Sequence, residues 1–169
     1  MAIHFKEEQR FSGNALWVTV LFLPVLMLVV LFYQLYSGKL VGDYPMSNTS
    51  ITILSIIYFV PAILTFFFVK LTLVIDDEKI MYGWNVPNKE LNEINFSEIS
   101  SCGIIHYDFV GYGYRLSEQY GTVYNVSGSR GLQVIKKSGE KILIGTHRPD
   151  ELKTAIELRM NAAMTSGNL

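Results

Sequence analysis

A single cysteine, Cys102, in 169 residues leaves no internal disulfide to form, which fits a reducing compartment. With only His4, His106 and His147 beside it, the chain cannot assemble a structural zinc site at the usual ligand spacings. Cys102 and His106 stand four apart on a predicted strand and share a face, but two ligands are too few, so Cys102 reads as core and His106 as strand surface. Also missing are a phosphate-cradling P-loop, a dinucleotide-binding glycine fingerprint and a nucleophile elbow. The glycines around Tyr112 read as a tight bend between strands. No catalytic residue, metal or cofactor is therefore expected. Basic clusters are lacking too: from Lys70 onward there are 11 basic and 12 acidic residues, and no basic block exceeds the pair Lys136 and Lys137. No stripe exists to contact a nucleic-acid backbone, and the turn Asp76, Asp77, Glu78 lacks the cations that recognise anionic headgroups.

Charge itself is absent from residues 11–38 and again from residues 44–69. Each stretch has an apolar heart, 15–33 and 51–69, that as a helix spans about 28 Å, close to the hydrocarbon thickness of a bilayer. The first is too long for the apolar region of a signal peptide, lacks a small-residue cleavage site and is followed by a second span. Two transmembrane helices are expected, at 14–36 and 50–70, joined by a loop over 37–49 and preceded by a segment over 1–13. Lys6 and Arg10 lie before the first span and Lys70 and Lys79 after the second, against Lys39 alone in the loop. This bias places both termini in the cytoplasm. Each span carries a proline near its middle, Pro24 and Pro61, at similar depth in a hairpin. They read either as paired kinks or as the prolines that membrane helices commonly contain. No ionisable residue enters either span, which argues against a pump or an ion-coupled transporter.

After Lys70 the pattern turns to short apolar stretches broken by turn signals. A hairpin is predicted over 71–84, then a short strand at 89–91, a longer one over 99–109, and strands over 120–126, 131–136 and 141–145, about seven in all. The chain then takes a helical period. Pro149 suits a first turn, Asp150 and Glu151 face the positive end of the helix dipole, and Leu152, Ala155, Ile156, Met160 and Ala163 form one stripe. The domain is expected over 71–164, with 165–169 a frayed tail.

Several segments carry a resemblance: "LTLVIDDEKIMYGW", "FSEISSC", "GYGYRL" and, most specifically, "RGLQVIKKSGEKILIGTHRPDELKTAI". On these the chain resembles the bacterial pleckstrin-homology-like domain proteins of the membrane-flanked kind, with two transmembrane helices ahead of the domain. The resemblance implies about seven antiparallel strands in a partly open barrel with a C-terminal capping helix. It also implies a noncatalytic scaffold that self-associates as a homo-oligomer, in some cases ring-like.

Tyr107, Phe109, Tyr112, Tyr114, Tyr120 and Tyr124 crowd one stretch, with Arg115 among them. Tyr and Arg are enriched at protein interfaces, so Tyr112, Tyr114, Arg115, Tyr120 and Tyr124 are candidate interface residues; ordinary cross-strand aromatic packing fits them equally. His147 and Arg148 stand where a helix begins and are a candidate anion contact, against which a plain capping loop is the simpler account. The expectation is a membrane-anchored homo-oligomeric scaffold or docking platform on the cytoplasmic face of a bacterial inner membrane. Two alternatives remain: a lipid- or peptide-binding module, and an accessory subunit bound to an unidentified protein partner.

Overall fold

The computed structural model describes residues 2–11, 14–86, 89–108 and 111–166. It divides into two units, one of Ser12–Val69 and one that joins Met1–Phe11 to Lys70–Leu169.

The first unit is a pair of packed helices, α1 (Asn14–Ser37) and α2 (Asn48–Phe68). Their interiors hold no charge and no glycine, so nothing but Pro24 and Pro61 interrupts helical hydrogen bonding. Gly38, at φ 67, ends α1 in the left-handed conformation that follows many helices, its N–H donating to Gln34 O at 2.9 Å. Ser47 caps α2 by accepting from Ser50 N at 3.1 Å. Gln34, Ile51, Ser55 and Ala62 are buried, whereas Phe22, Phe32 and Ile57 are more than half exposed. Only 11% of an 18-residue window in each helix is buried, which is unlike the core helix of a soluble domain. Both helices are long and apolar enough to cross a membrane, and so large an apolar surface points to membrane association.

The second unit holds two sheets and a helix. Strands β1 (Phe5–Arg10), β2 (Lys70–Ile75), β3 (Lys79–Asn85) and β4 (Asn92–Asn95) pair in that order, all antiparallel. Strands β5 (Ile99–His106), β6 (Gly113–Ser117), β7 (Gly121–Asn125), β8 (Arg130–Lys136) and β9 (Lys141–Gly145) pair in the order β5-β8-β9-β7-β6. Their one parallel contact joins β7 to β9. Helix α3 (Pro149–Ser166) packs against β5, β8 and β1. Leu71, Leu73, Ile75, Ile80, Ile94, Leu132, Val134 and Leu152 are wholly buried and form one core with Ile142 and Ile144. Cys102 packs at its edge. The β2–β3 turn is held by Asp76, whose Oδ1 accepts from the N–H of Glu78 and of Lys79 at 2.8 Å each.

The differences from expectation have local causes. Residues 5–10 form β1, and alternation did not reveal it because two of its three buried positions are polar: Phe5, Glu7 and Gln9 are 5%, 6% and 3% exposed. Residues 113–117 form β6 rather than part of a bend. The strand expected at 89–91 lies at Asn92–Asn95, and α2 stops at Phe68, so Lys70 already belongs to β2. The sheets do not close into a barrel, and among the described residues there are nine strands. Phe109, expected at the end of β5, and the last residues of the expected tail, 167–169, lie outside the described residues.

Gly121 has φ +76, and a Cβ there would fall 2.1 Å from the Lys141 carbonyl oxygen. Gly121→Ala is expected to destabilise the sheet unit by about 2–4 kcal/mol, seen as a lowered thermal midpoint by circular dichroism. Gly139→Ala, at φ +89 but facing open space, should cost only about 1 kcal/mol.

Candidate functional site

The aromatic stretch becomes the β6–β7 hairpin, where Tyr114 faces Tyr124, Arg115 faces Val123 and Leu116 faces Thr122. Tyr114 meets the Tyr124 ring edge-on at 5.4 Å, and Tyr124 meets Tyr82 of β3 in the same way at 5.2 Å. The Tyr124 hydroxyl accepts from Asn92 Nδ2 at 3.3 Å. This row runs from the surface into the core: Tyr114 is 56% exposed and Tyr124 only 8%. Tyr120 is buried and stands edge-on to Tyr107 at 6.1 Å. Tyr107 donates its hydroxyl hydrogen to Asn125 Oδ1 at 3.0 Å, and Asn125 Nδ2 donates to Gly111 O at 3.1 Å. Tyr120 and Tyr124 are thus packing residues, while Tyr112, Tyr114 and Arg115 lie on the surface.

Among the described residues β6 is the last strand of its sheet, paired on one side to β7 alone. None of its five residues is buried. Leu116, on the same face as Tyr114, is 77% exposed. Arg115 turns its Nε back to Tyr112 O at 3.3 Å. An edge strand with an apolar and an aromatic side chain in water is an open template for a further strand, and its only charge is Arg115. Sequence reasoning missed Leu116, whose signal was an apolar residue in a short polar strand.

His147 and Arg148 meet at the junction of β9 and α3, which β1 covers. The buried Glu7 carboxylate accepts from Thr146 Oγ1 at 2.6 Å and from His147 N at 2.8 Å. Arg148 N donates to Thr146 Oγ1 at 3.0 Å. The Arg148 guanidinium pairs with Glu151, donates to Lys6 O at 3.2 Å and lies 5.2 Å from the centre of the Phe5 ring. The His147 ring meets Ser127 Oγ at 2.5 Å. One strand residue earlier, Gln9 Nε2 donates to Gly145 O at 2.7 Å. The anion at this junction is the chain's own Glu7, whose pairing with a turn 139 residues away has no local signal.

A second lock lies at the other end of β1. Asp77 accepts from Ala2 N at 2.7 Å, from the His4 ring at 2.7 Å and from Arg159 of α3 at 3.1 Å. The Ala2 amide, then His4, and the Arg159 charge hold the Asp77 carboxyl below its usual range. Lys70 and then Lys6 do the same for Glu8, and Arg148 for Glu151. Burial pushes the Tyr107 hydroxyl up to about 12 and the Tyr82 hydroxyl higher still. Pro24 is buried and Pro61 exposed, each inside its helix. Among the described residues no group of three His, Cys, Asp or Glu is placed to hold a metal ion.

These shifts set a pH dependence. Carboxyls lowered by folding contribute stability that is present above their ordinary values of 3.8 and 4.5 and is lost as pH falls through the lower folded values. Tyrosines raised by folding contribute stability that is complete below 10.0 and is lost as pH rises toward 12. The thermal midpoint should therefore drop on both sides, and Asp77→Asn with Glu8→Gln should flatten the acid slope alone. Glu7→Leu, which strands the donors of Thr146 and His147, should lower stability by about 2–3 kcal/mol in chemical denaturation. Comparison with protein-family models, curated proteins and solved structures found no match, so the reading of these surfaces rests on their residues.

Proposed function

We propose that this is a noncatalytic, membrane-anchored protein of the bacterial pleckstrin-homology-like kind, which self-associates into a homo-oligomeric platform on the cytoplasmic side of the inner membrane. The observation that carries the reading is β6: an unprotected sheet edge whose Tyr114 and Leu116 are 56% and 77% exposed. A second copy adding its own β6 would complete main-chain hydrogen bonds along that edge and cover both side chains.

The anchor makes a modest contact sufficient. Subunits confined to a membrane plane meet at an effective concentration far above that of free solution. The pairing of Arg10 with Lys70 supports the topology, since the strand before α1 and the strand after α2 are neighbours in one sheet. That arrangement suits an even number of crossings. The excess of Lys and Arg at these flanks over the loop favours the cytoplasm. Arg115, beside the edge, supplies a rim charge of the kind that fixes orientation more than affinity.

The mass of the full-length protein in mild detergent, by light scattering or native mass spectrometry, tests this. A single large homo-oligomer is expected, and Leu116→Glu, Tyr114→Glu or Tyr112→Glu should dissociate it with the circular dichroism spectrum unchanged. A monomeric wild-type protein overturns the reading. The same open edge would suit a peptide, and a monomer carrying a copurified peptide would select that alternative.

A further inference from the structure

The anion contact suggested by the sequence, at His147 and Arg148, is taken by Glu7, but the fold brings three other distant basic residues together. His106 and Arg130 are register partners at the last paired position of β5 and β8. Ile104 and Leu132 are the partners two residues further in on the same face, and they belong to the core beneath α3. Directly opposed side chains on an antiparallel pair lie about 5 Å apart at Cβ, and like charges there are destabilising. Lys153 approaches from α3, and the three line a cavity of about 260 Å³ with Ile104, Ile105, Pro149 and Asp150.

The charges in this cavity are under-compensated. Elsewhere in the unit Lys6, Lys70, Lys79, Lys136, Arg148 and Arg159 each lie against a carboxylate, whereas Arg10, Lys89, Arg115, Lys137 and Lys141 have none among the described residues; what sets His106, Arg130 and Lys153 apart is that the fold brings all three to one cavity. Arg130 pairs with none among the described residues, nor does His106. Lys153 has only Glu157, at 3.7 Å with both side chains 62% exposed, a weak pair. Asp150 is the one carboxylate on the wall. A planar guanidinium that offers a bidentate fork, a flexible ammonium and an imidazole, set beside isoleucine and proline, match a tetrahedral oxyanion.

We propose that His106, Arg130 and Lys153 bind a phosphate group carried by a small molecule or by a lipid headgroup. Arg130 takes two phosphate oxygens, Lys153 a third, and the His106 ring donates to the remaining one. This site is separate from the β6 edge and from the Glu7 junction and does not depend on self-association.

The test is equilibrium binding of inorganic phosphate to the full-length protein in nanodiscs of phosphatidylcholine, with a second set of discs containing phosphatidic acid, from which retained lipid is read by native mass spectrometry. Saturable phosphate binding is expected, weakened about tenfold or more by Arg130→Gln or Lys153→Gln and unchanged by Lys137→Gln, which removes one exposed charge elsewhere. Retention of phosphatidic acid that is lost in Arg130→Gln, without binding of free phosphate, would support the site and assign its ligand to the membrane. Absence of both kinds of binding would overturn the proposal, as would equal weakening by Lys137→Gln.

Discussion

The antiparallel pairing of Phe5–Arg10 with Lys70–Ile75 holds together two pieces of chain that the helical hairpin separates, and the second unit cannot be complete without it. Closing a flexible loop over residues 11–69 would cost about 4 kcal/mol in chain entropy. Two helices that cross a bilayer as a hairpin bring those ends together beforehand, so insertion would offset much of that cost. Membrane insertion of the helical pair and folding of the sheet would then be coupled thermodynamically, although they bury different residues.

What fastens β1 is polar, and that is unusual for a strand with three buried positions. Glu7 would be expensive to bury alone, but each of its oxygens has a donor from the turn that opens α3. Gln9 reaches the last carbonyl of β9, and Asp77 gathers the N-terminus and α3 around the β2–β3 turn. The hydrogen bonds specify one register for β1, because a slip of one residue would turn Lys6 and Glu8 inward and strand the donors of Thr146 and His147. Apolar side chains at those positions would bury as well but would fix the register less firmly.

Much of the architecture is legible in the sequence where a single period dominates. The two apolar helices, the hairpin before and after Asp76, the strand over residues 141–145 and the helix from Pro149 all follow from local pattern. β1 was hidden because its buried face is made of Glu and Gln, whose partners lie over 130 residues away. β6 was hidden because a strand with no buried residue has no apolar face to alternate. The tyrosines were recognised as a group, but composition could not separate Tyr124, which supports the row from within, from Tyr114, which ends it at the surface. The trio of His106, Arg130 and Lys153 has no sequence signature at all, since only the pairing of β5 with β8 and the seat of α3 bring it together.

The order of synthesis gives the Glu7 junction a further meaning. β1 is made before the helical hairpin, and the donors that Glu7 requires are 139 and 140 residues behind it. A nascent chain must hold β1 unfinished until the turn that opens α3 has been made. A chain cut short before Thr146 would still pair β1 with β2 but would leave the Glu7 carboxylate without both of its donors. The register of β1 is therefore completed only by the turn that opens α3.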